Sequence, residues 1–173
     1  AVGSHRTMDV RDAMETDVVT CAPDDVVSET VRRLREHDVS GMPVVDGDGD
    51  LVGVVSEADL LDLIDERQQD SNIWLPSPFE AIELPLRAFP FRDWLEKHDL
   101  VKEELEDIGE IPIERIMSRD VATAAPGDSV EQASHVMIRE AVNRLPVVED
   151  GELVGILTRG DVLDGIARRA DRD

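Results

Sequence analysis

The sequence predicts an α/β (α+β) fold of two β-α-β-β-α repeats packed by pseudo-twofold symmetry, with a helical or irregular insert between them. Three matches carry that prediction. METDVVTCAP, Met14 to Pro23, aligns without a gap to MSRDVATAAP, Met117 to Pro126. SGMPVVD, Ser40 to Asp46, aligns to NRLPVVE, Asn143 to Glu149. GVVSEADLL, Gly53 to Leu61, aligns to GILTRGDVL, Gly155 to Leu163. The order is the same in both copies, and one residue of turn is lost between the second and third matches.

Each element has a local reason. Val18 to Thr20 is a short β-prone run. Pro23-Asp-Asp and Pro126-Gly-Asp-Ser are turn and helix-start signals. Val27, Val31 and Leu34 recur at helical spacing, as do Val130, Ala133 and Met137. Met42–Val45 and Leu51–Val55 flank a Gly/Asp turn, which is a hairpin pattern. Ser56 and Thr158 stand where helix N-caps belong, and Ala58, Leu61 and Leu63 continue the helix. The chain divides into residues 1–7, read as a tag remnant, a first repeat at 8–65, an insert at 66–112 and a second repeat at 113–173. One repeat has too little core to stand alone, so two copies burying their sheet faces together account for much of the duplication.

The insert resembles neither copy. Four prolines in WLPSPFEAIELPLRAFPF forbid one long helix. Trp74, Phe79, Phe89, Phe91 and Trp94 are all of the chain's aromatic residues. They read as folding the insert onto the body, or as a subunit contact or lid.

Charge narrows the functional classes. Forty acidic residues against eighteen basic ones give a formal charge of -22, spread over every expected element. Such a surface repels phosphate backbones and excludes nucleic acid as a partner. Periodic apolar residues set the chain apart from acidic disordered proteins. No run suits a membrane span and no signal peptide is visible, and one cysteine fits a reducing cytoplasm. The acid excess reads as a solvated surface or as adaptation to multimolar salt.

The third match carries chemistry. Its glycine lets a ligand approach the strand end. Its Ser or Thr adds a hydroxyl to free N–H groups at a helix start, which suits phosphate. Its Asp, one turn on, can accept hydrogen bonds from a ribose. Ser56 with Asp59, and Thr158 with Asp161, therefore read either as phosphate and ribose contacts or as plain helix caps.

Taken together, the Met-(x)5-Thr-x-x-Pro entry, the Pro-Val-Val hairpin and the Gly-apolar-Ser/Thr-x-x-Asp exit, each present twice, resemble the tandem CBS-domain family, named after cystathionine β-synthase. The resemblance covers everything except residues 1–7 and the insert, and suggests a haloarchaeal-type, stand-alone protein. It implies a regulatory homodimer whose clefts bind AMP, ADP, ATP or S-adenosylmethionine, as in energy sensing. It also places Val18, Thr20, Val121 and Thr123 beside the base, with Pro43 and Pro146 of the hairpins completing the expected contacts. Arg144 and Arg159 stand where the first copy has Gly41 and Glu57. Arginine grips phosphate with paired donors, so the two sites are expected to be unequal. The sequence leaves open which cleft Arg144 serves.

Other signals fall away. Asp46, Asp48 and Asp50 open like a calcium loop, but Leu51 sits where that loop needs Gly. Ser56 lacks the setting of a nucleophile elbow. His37, His98 and His135 have no metal or triad spacing. Cys21 has no basic neighbour in sequence. Two further readings stand beside the regulatory one: a structural or dimerisation protein with empty or vestigial clefts, and an enzyme; an unidentified protein partner is a further expectation. Similar pairs occur inside IMP dehydrogenase, but this chain has no room for that barrel.

The salt reading gives the first prediction. Stability followed by circular dichroism should rise steeply with KCl, as counterions screen the self-repulsion. A fully folded, equally stable chain in dilute buffer would contradict it.

Overall fold

The computed structural model describes residues 8–68 and 107–170. The insert's five aromatics lie outside the described residues, so the expectations placed on them do too. The ordered elements are α1 (Val10–Ala13), α2 (Val27–Glu36), β1 (Gly41–Val45), β2 (Leu51–Ser56), α3 (Glu57–Gln68), a 3-10 turn (Ile113–Arg115), α4 (Val130–Arg139), β3 (Arg144–Glu149), β4 (Glu152–Thr158) and α5 (Arg159–Ala170). β1 pairs with β2 and β3 with β4, giving a mixed α+β chain with two small sheets.

The compact units are not the repeats. One is drawn from residues up to Thr20, Val45–Gly53 and the chain from Arg119 onward; the other is Cys21–Val44 with the described residues between Val54 and Ser118. Each therefore takes its helices mainly from one copy and its entry segment from the other.

In the unit holding the second copy, Val10, Ala124, Val130, Ala133, Met137, Leu145, Val147, Leu157 and Val162 form the core. Val10 comes from the first copy's entry and has no exposed surface. Backbone bonds fix it there: Val10 N–H to Asp128 O at 2.8 Å, and Val130 N–H to Met8 O at 2.9 Å. In the other unit Ile113, the aligned residue of the second entry, is equally buried. Ile113 N–H donates to Asp25 O at 2.8 Å, and Val27 N–H donates to Ile111 O at 3.0 Å.

The β3–β4 hairpin runs in register from Arg144 opposite Thr158 to Glu149 opposite Glu152, with an irregularity between Val147 and Val148. Its turn is Asp150-Gly151, both at positive φ (53° and 87°), the pair of signs a two-residue type I′ turn requires. Alternation buries Gly155 and Leu157 and leaves Ile156 and Thr158 half-buried.

Helices α2 and α4 end in the same way. Val39 N–H donates to Leu34 O, and Val142 N–H to Met137 O, both at 3.0 Å. These are the long bonds of a Schellman ending. The left-handed residue is Asp38 in one and Ala141 in the other, at φ 55° and 54°. Their starts differ. Ser129 and Gln132 form a reciprocal capping box on α4, whereas Val26 before α2 has no side-chain cap.

One expectation fails. Val18–Thr20 is not a strand: a parallel bridge follows it, Cys21 to Val44, and the second copy repeats this with Ala124 to Val147. Proline stops the pairing. Cys21 and Ala124 take the carbonyls of Pro43 and Pro146. The next N–H groups, of Ala22 and Ala125, turn away to the carboxylates of Asp25 and Asp128.

Val10→Ala should lower stability by about 1.5–3 kcal/mol, the usual range for stripping methyl groups from a closed core. Urea denaturation read by tertiary signals would show it. A loss under about 0.5 kcal/mol would mean that the entry segment is not part of the core.

Candidate functional site

The Ser/Thr-x-x-Asp motifs adopt one geometry twice. In the first copy Ser56 N–H and Oγ–H donate to Asp59 Oδ2 at 2.7 and 2.9 Å, and Asp59 N–H points back to Ser56 Oγ at 3.4 Å. In the second, Thr158 N–H and Oγ1–H donate to Asp161 Oδ2 at 2.7 and 2.8 Å, and Asp161 N–H returns to Thr158 Oγ1 at 3.2 Å. This is a reciprocal helix cap. It occupies one oxygen of each carboxylate and leaves the other for a further donor.

That other oxygen meets different surroundings. In the first copy Ser118 Oγ lies 3.4 Å from Asp59 Oδ1. Ser118 is positioned by two backbone bonds with Val54, at 2.9 and 3.0 Å. In the second copy Glu15 makes the same two bonds with Ile156, both at 2.9 Å. Glu15 ends in a carboxylate, which accepts from Asp17 N–H. Among the described residues Asp161 has no second donor. The alignment that pairs Met14-Glu15 with Met117-Ser118 held this difference in plain view, but without the fold it pointed nowhere.

The arginines join the second cap. Arg144 is opposite Thr158 across the hairpin, and its Nε donates to Asn143 Oδ1 at 3.2 Å. Arg159 begins α5, with its N–H on Asn143 O at 2.9 Å. Arg144, Thr158, Arg159 and Asp161 thus gather at one end of β3–β4. In the first copy Glu57 begins α3, and its N–H takes the carbonyl of Ser40.

The remaining sequence-chosen residues divide. Val18 and Thr20 line an open cavity of ≈ 220 Å³ with Thr16, Val45, Gly49, Glu152, Leu153 and Val154. Its walls mix valine and leucine with polar groups, the threonine hydroxyls and the Glu152 carboxylate. The sequence reading missed Thr16, Val45 and the three β4 residues, because it treated the hairpins as scaffold. Val121 is half-buried and Thr123 exposed, just before the Ala124 bridge. Pro43 and Pro146 are fully buried; what they present is their carbonyls, to Cys21 and Ala124.

The expected role of Gly155 is corrected. A side chain there would meet Met14 Sδ at 2.6 Å and Glu15 O at 3.0 Å. The missing Cβ admits the entry segment, not a ligand. Cys21 is buried, and burial first, then the nearby Asp25, pushes its thiol up to about 11 against the opposing pull of Arg33. It stays a neutral thiol at physiological pH. Among the described residues no group of three or more His, Cys, Asp or Glu could hold a metal ion, and no helix is long and apolar enough to cross a membrane.

The family model for the CBS domain matches residues 10–66 and 109–168. The uncharacterized protein MJ1426 of Methanocaldococcus jannaschii is 34% identical over 159 residues, covering 91% of this chain and 90% of that protein. An inosine-5'-monophosphate dehydrogenase of the same organism is 29% identical over 92% of this chain, which spans 24% of that enzyme. The crystal structure of CBSX2 in complex with AMP, a protein of Arabidopsis thaliana, has a TM-score of 0.66 at 25% identity, covering 94% of this chain and 98% of that one. With two matched segments, the exit motif folded alike in both and relatives that share nearly its whole length, this chain belongs to the CBS-domain family as a tandem pair of CBS domains.

Proposed function

We propose that the protein is a non-catalytic regulatory module that binds an adenosine-containing ligand. The observation that carries this reading is the cap of Asp161, whose one oxygen is fixed by Thr158 while the other has no donor among the described residues. A carboxylate oriented in this way suits a pair of ribose hydroxyls. Arg144 and Arg159 stand beside it for phosphate, and the valine-lined cavity beside Val18 and Thr20 suits a base. Glu152 at that cavity would repel phosphate, which favours the arginine end for the charged group. A structure of similar fold at 25% identity is a complex with AMP, and AMP is accordingly the first ligand of choice, with ADP, ATP and S-adenosylmethionine as its relatives in chemistry. Binding regulates when the ligand prefers one of two packings that a partner can read.

A second reading has its own support. Both carboxylates are well used as caps, and a capping role alone would make this a structural or dimerisation protein. A homodimer is part of the proposal in either case. Leu163 and Ile166, one turn apart on α5, are 60% and 59% exposed, and Ile138 on α4 is 78% exposed. Apolar helical surface of this kind suits a second copy. Sedimentation should give twice the chain mass, with Ile166→Glu shifting it toward the monomer; a monomeric wild type would end the dimer proposal.

Calorimetric titration in multimolar KCl with AMP, ADP, ATP, S-adenosylmethionine and NAD decides between the two readings. We expect saturable binding of at least one adenosine ligand, weakened by about 30-fold or more in Asp161→Ala, since two hydrogen bonds to a charged acceptor are lost. Flat traces for all five on folded protein would favour the structural reading.

A further inference from the structure

Four differences separate the two motifs, and all bear on an anionic ligand. The first is the second carboxylate oxygen. Ser118 Oγ stands 3.4 Å from Asp59 Oδ1, whereas the aligned Glu15 offers Asp161 no donor. A ribose at Asp59 would have to displace a hydroxyl already there; at Asp161 it would supply a bond not yet made. The second is the basic group. Arg144 faces Thr158 across the hairpin. At the aligned position Gly41 is buried, and a Cβ on it would lie 3.1 Å from Val55 O and 3.4 Å from Ser56 Cα. A side chain there would press on the backbone of the adjacent strand, which would have to give by a few tenths of an ångström.

The third is the first helical residue, Arg159 in α5 against Glu57 in α3. One adds a guanidinium to the positive end of the helix dipole, and the other cancels that end with a carboxylate. The fourth is the next residue. Gly160 is exposed, and only Thr158 Oγ1 comes within 4 Å of a Cβ built on it, at 3.6 Å. Gly160 thus sets no side chain beside that helix start, where the first copy carries the methyl of Ala58.

Resting on the nucleotide-binding reading above, we propose that the chain takes one phosphate-bearing adenosine ligand, at the Thr158–Asp161 motif, and that the Ser56–Asp59 motif with Ser118 is a closed structural cap. The duplicated sequence has then been divided into a receptor half and a scaffold half. The residues that close the scaffold half are as specific as those that open the other: glycine at 41, glutamate at 57 and serine at 118.

The test is the stoichiometry of AMP binding to the full chain in multimolar KCl. The expected result is one AMP per chain for wild type and, for Asp161→Asn, a variant that keeps an oxygen for the cap, AMP affinity lower by about 30-fold or more. Two AMP per chain in wild type, or a site of undiminished affinity in Asp161→Asn, overturns the proposal. Should Asp161→Asn lose its native circular dichroism, Arg144→Gln takes its place. Its affinity for AMP should fall about tenfold or more while adenosine binding holds; unchanged AMP affinity counts against the proposal. A wild type that binds no AMP at all is a different failure, ending the phosphate-ligand reading on which the proposal stands.

Discussion

Exchange of the entry segments is the constraint on which the structure depends. Val10 and Ile113 occupy aligned positions in the two copies, and each is fully buried among helices and strands of the other copy. Hydrophobic burial of one residue of this size is worth about 2 kcal/mol, and the backbone bonds around it satisfy donors that would otherwise be left at helix starts. A repeat supplied with its own helices alone would present an open core and unpaired N–H groups. The duplication is therefore a condition of folding before it is a condition of function. It also explains why the compact units cut across the sequence repeats. The physical core follows the exchanged segment, while the alignment follows ancestry of the letters.

The same exchange delivers an asymmetry in hydrogen bonding between the two motifs. Because each entry segment pairs with the exit strand of the opposite copy, the residue after Met14 or Met117 is brought to the end of that strand. Ser118 reaches Asp59 in this way, and Glu15 takes the matching place beside Ile156. A difference of one side chain in the entry thus changes the hydrogen-bond state of an aspartate far away in sequence. Gly155 makes the approach possible, since Met14 Sδ fills the space of its missing Cβ.

Most of the fold was legible in the sequence because its signals were local and repeated. The Pro-Val-Val strands, the glycine turns, the helical spacing of Val27 and Leu34 and the caps at Ser56 and Thr158 each declare themselves within a few residues, and a second copy confirms them. The entry strand at Val18–Thr20 was overread. β-propensity there is real, but Pro43 and Pro146 have no N–H to carry the ladder back toward Val18 and Val121, and the following N–H groups bend to Asp25 and Asp128, so a bridge forms where a strand was expected. The site was half legible. Chemistry at Thr158, Asp161, Arg144 and Arg159 follows from residue type and spacing. The contributions of Glu15, Ser118 and Glu152 do not, because they depend on which distant segments the topology brings together.

Electrostatics connects these levels. A chain of charge -22 opposes any anionic ligand at long range, and in dilute buffer that field would act across the whole molecule. In molar salt the screening length falls to about 3 Å, and only groups in near contact with the ligand still matter. Under those conditions the surface excess of carboxylates ceases to decide binding, and the local set at each motif does. One set holds Arg144, Arg159 and an exposed glycine; the other holds Glu57 and a buried glycine packed against Val55 and Ser56. An acidic surface and a phosphate site are therefore compatible in one small protein when salt confines each charge to its own neighbourhood. Placing two arginines at one exit motif and none at the other is then enough to give two copies of one sequence pattern opposite local fields.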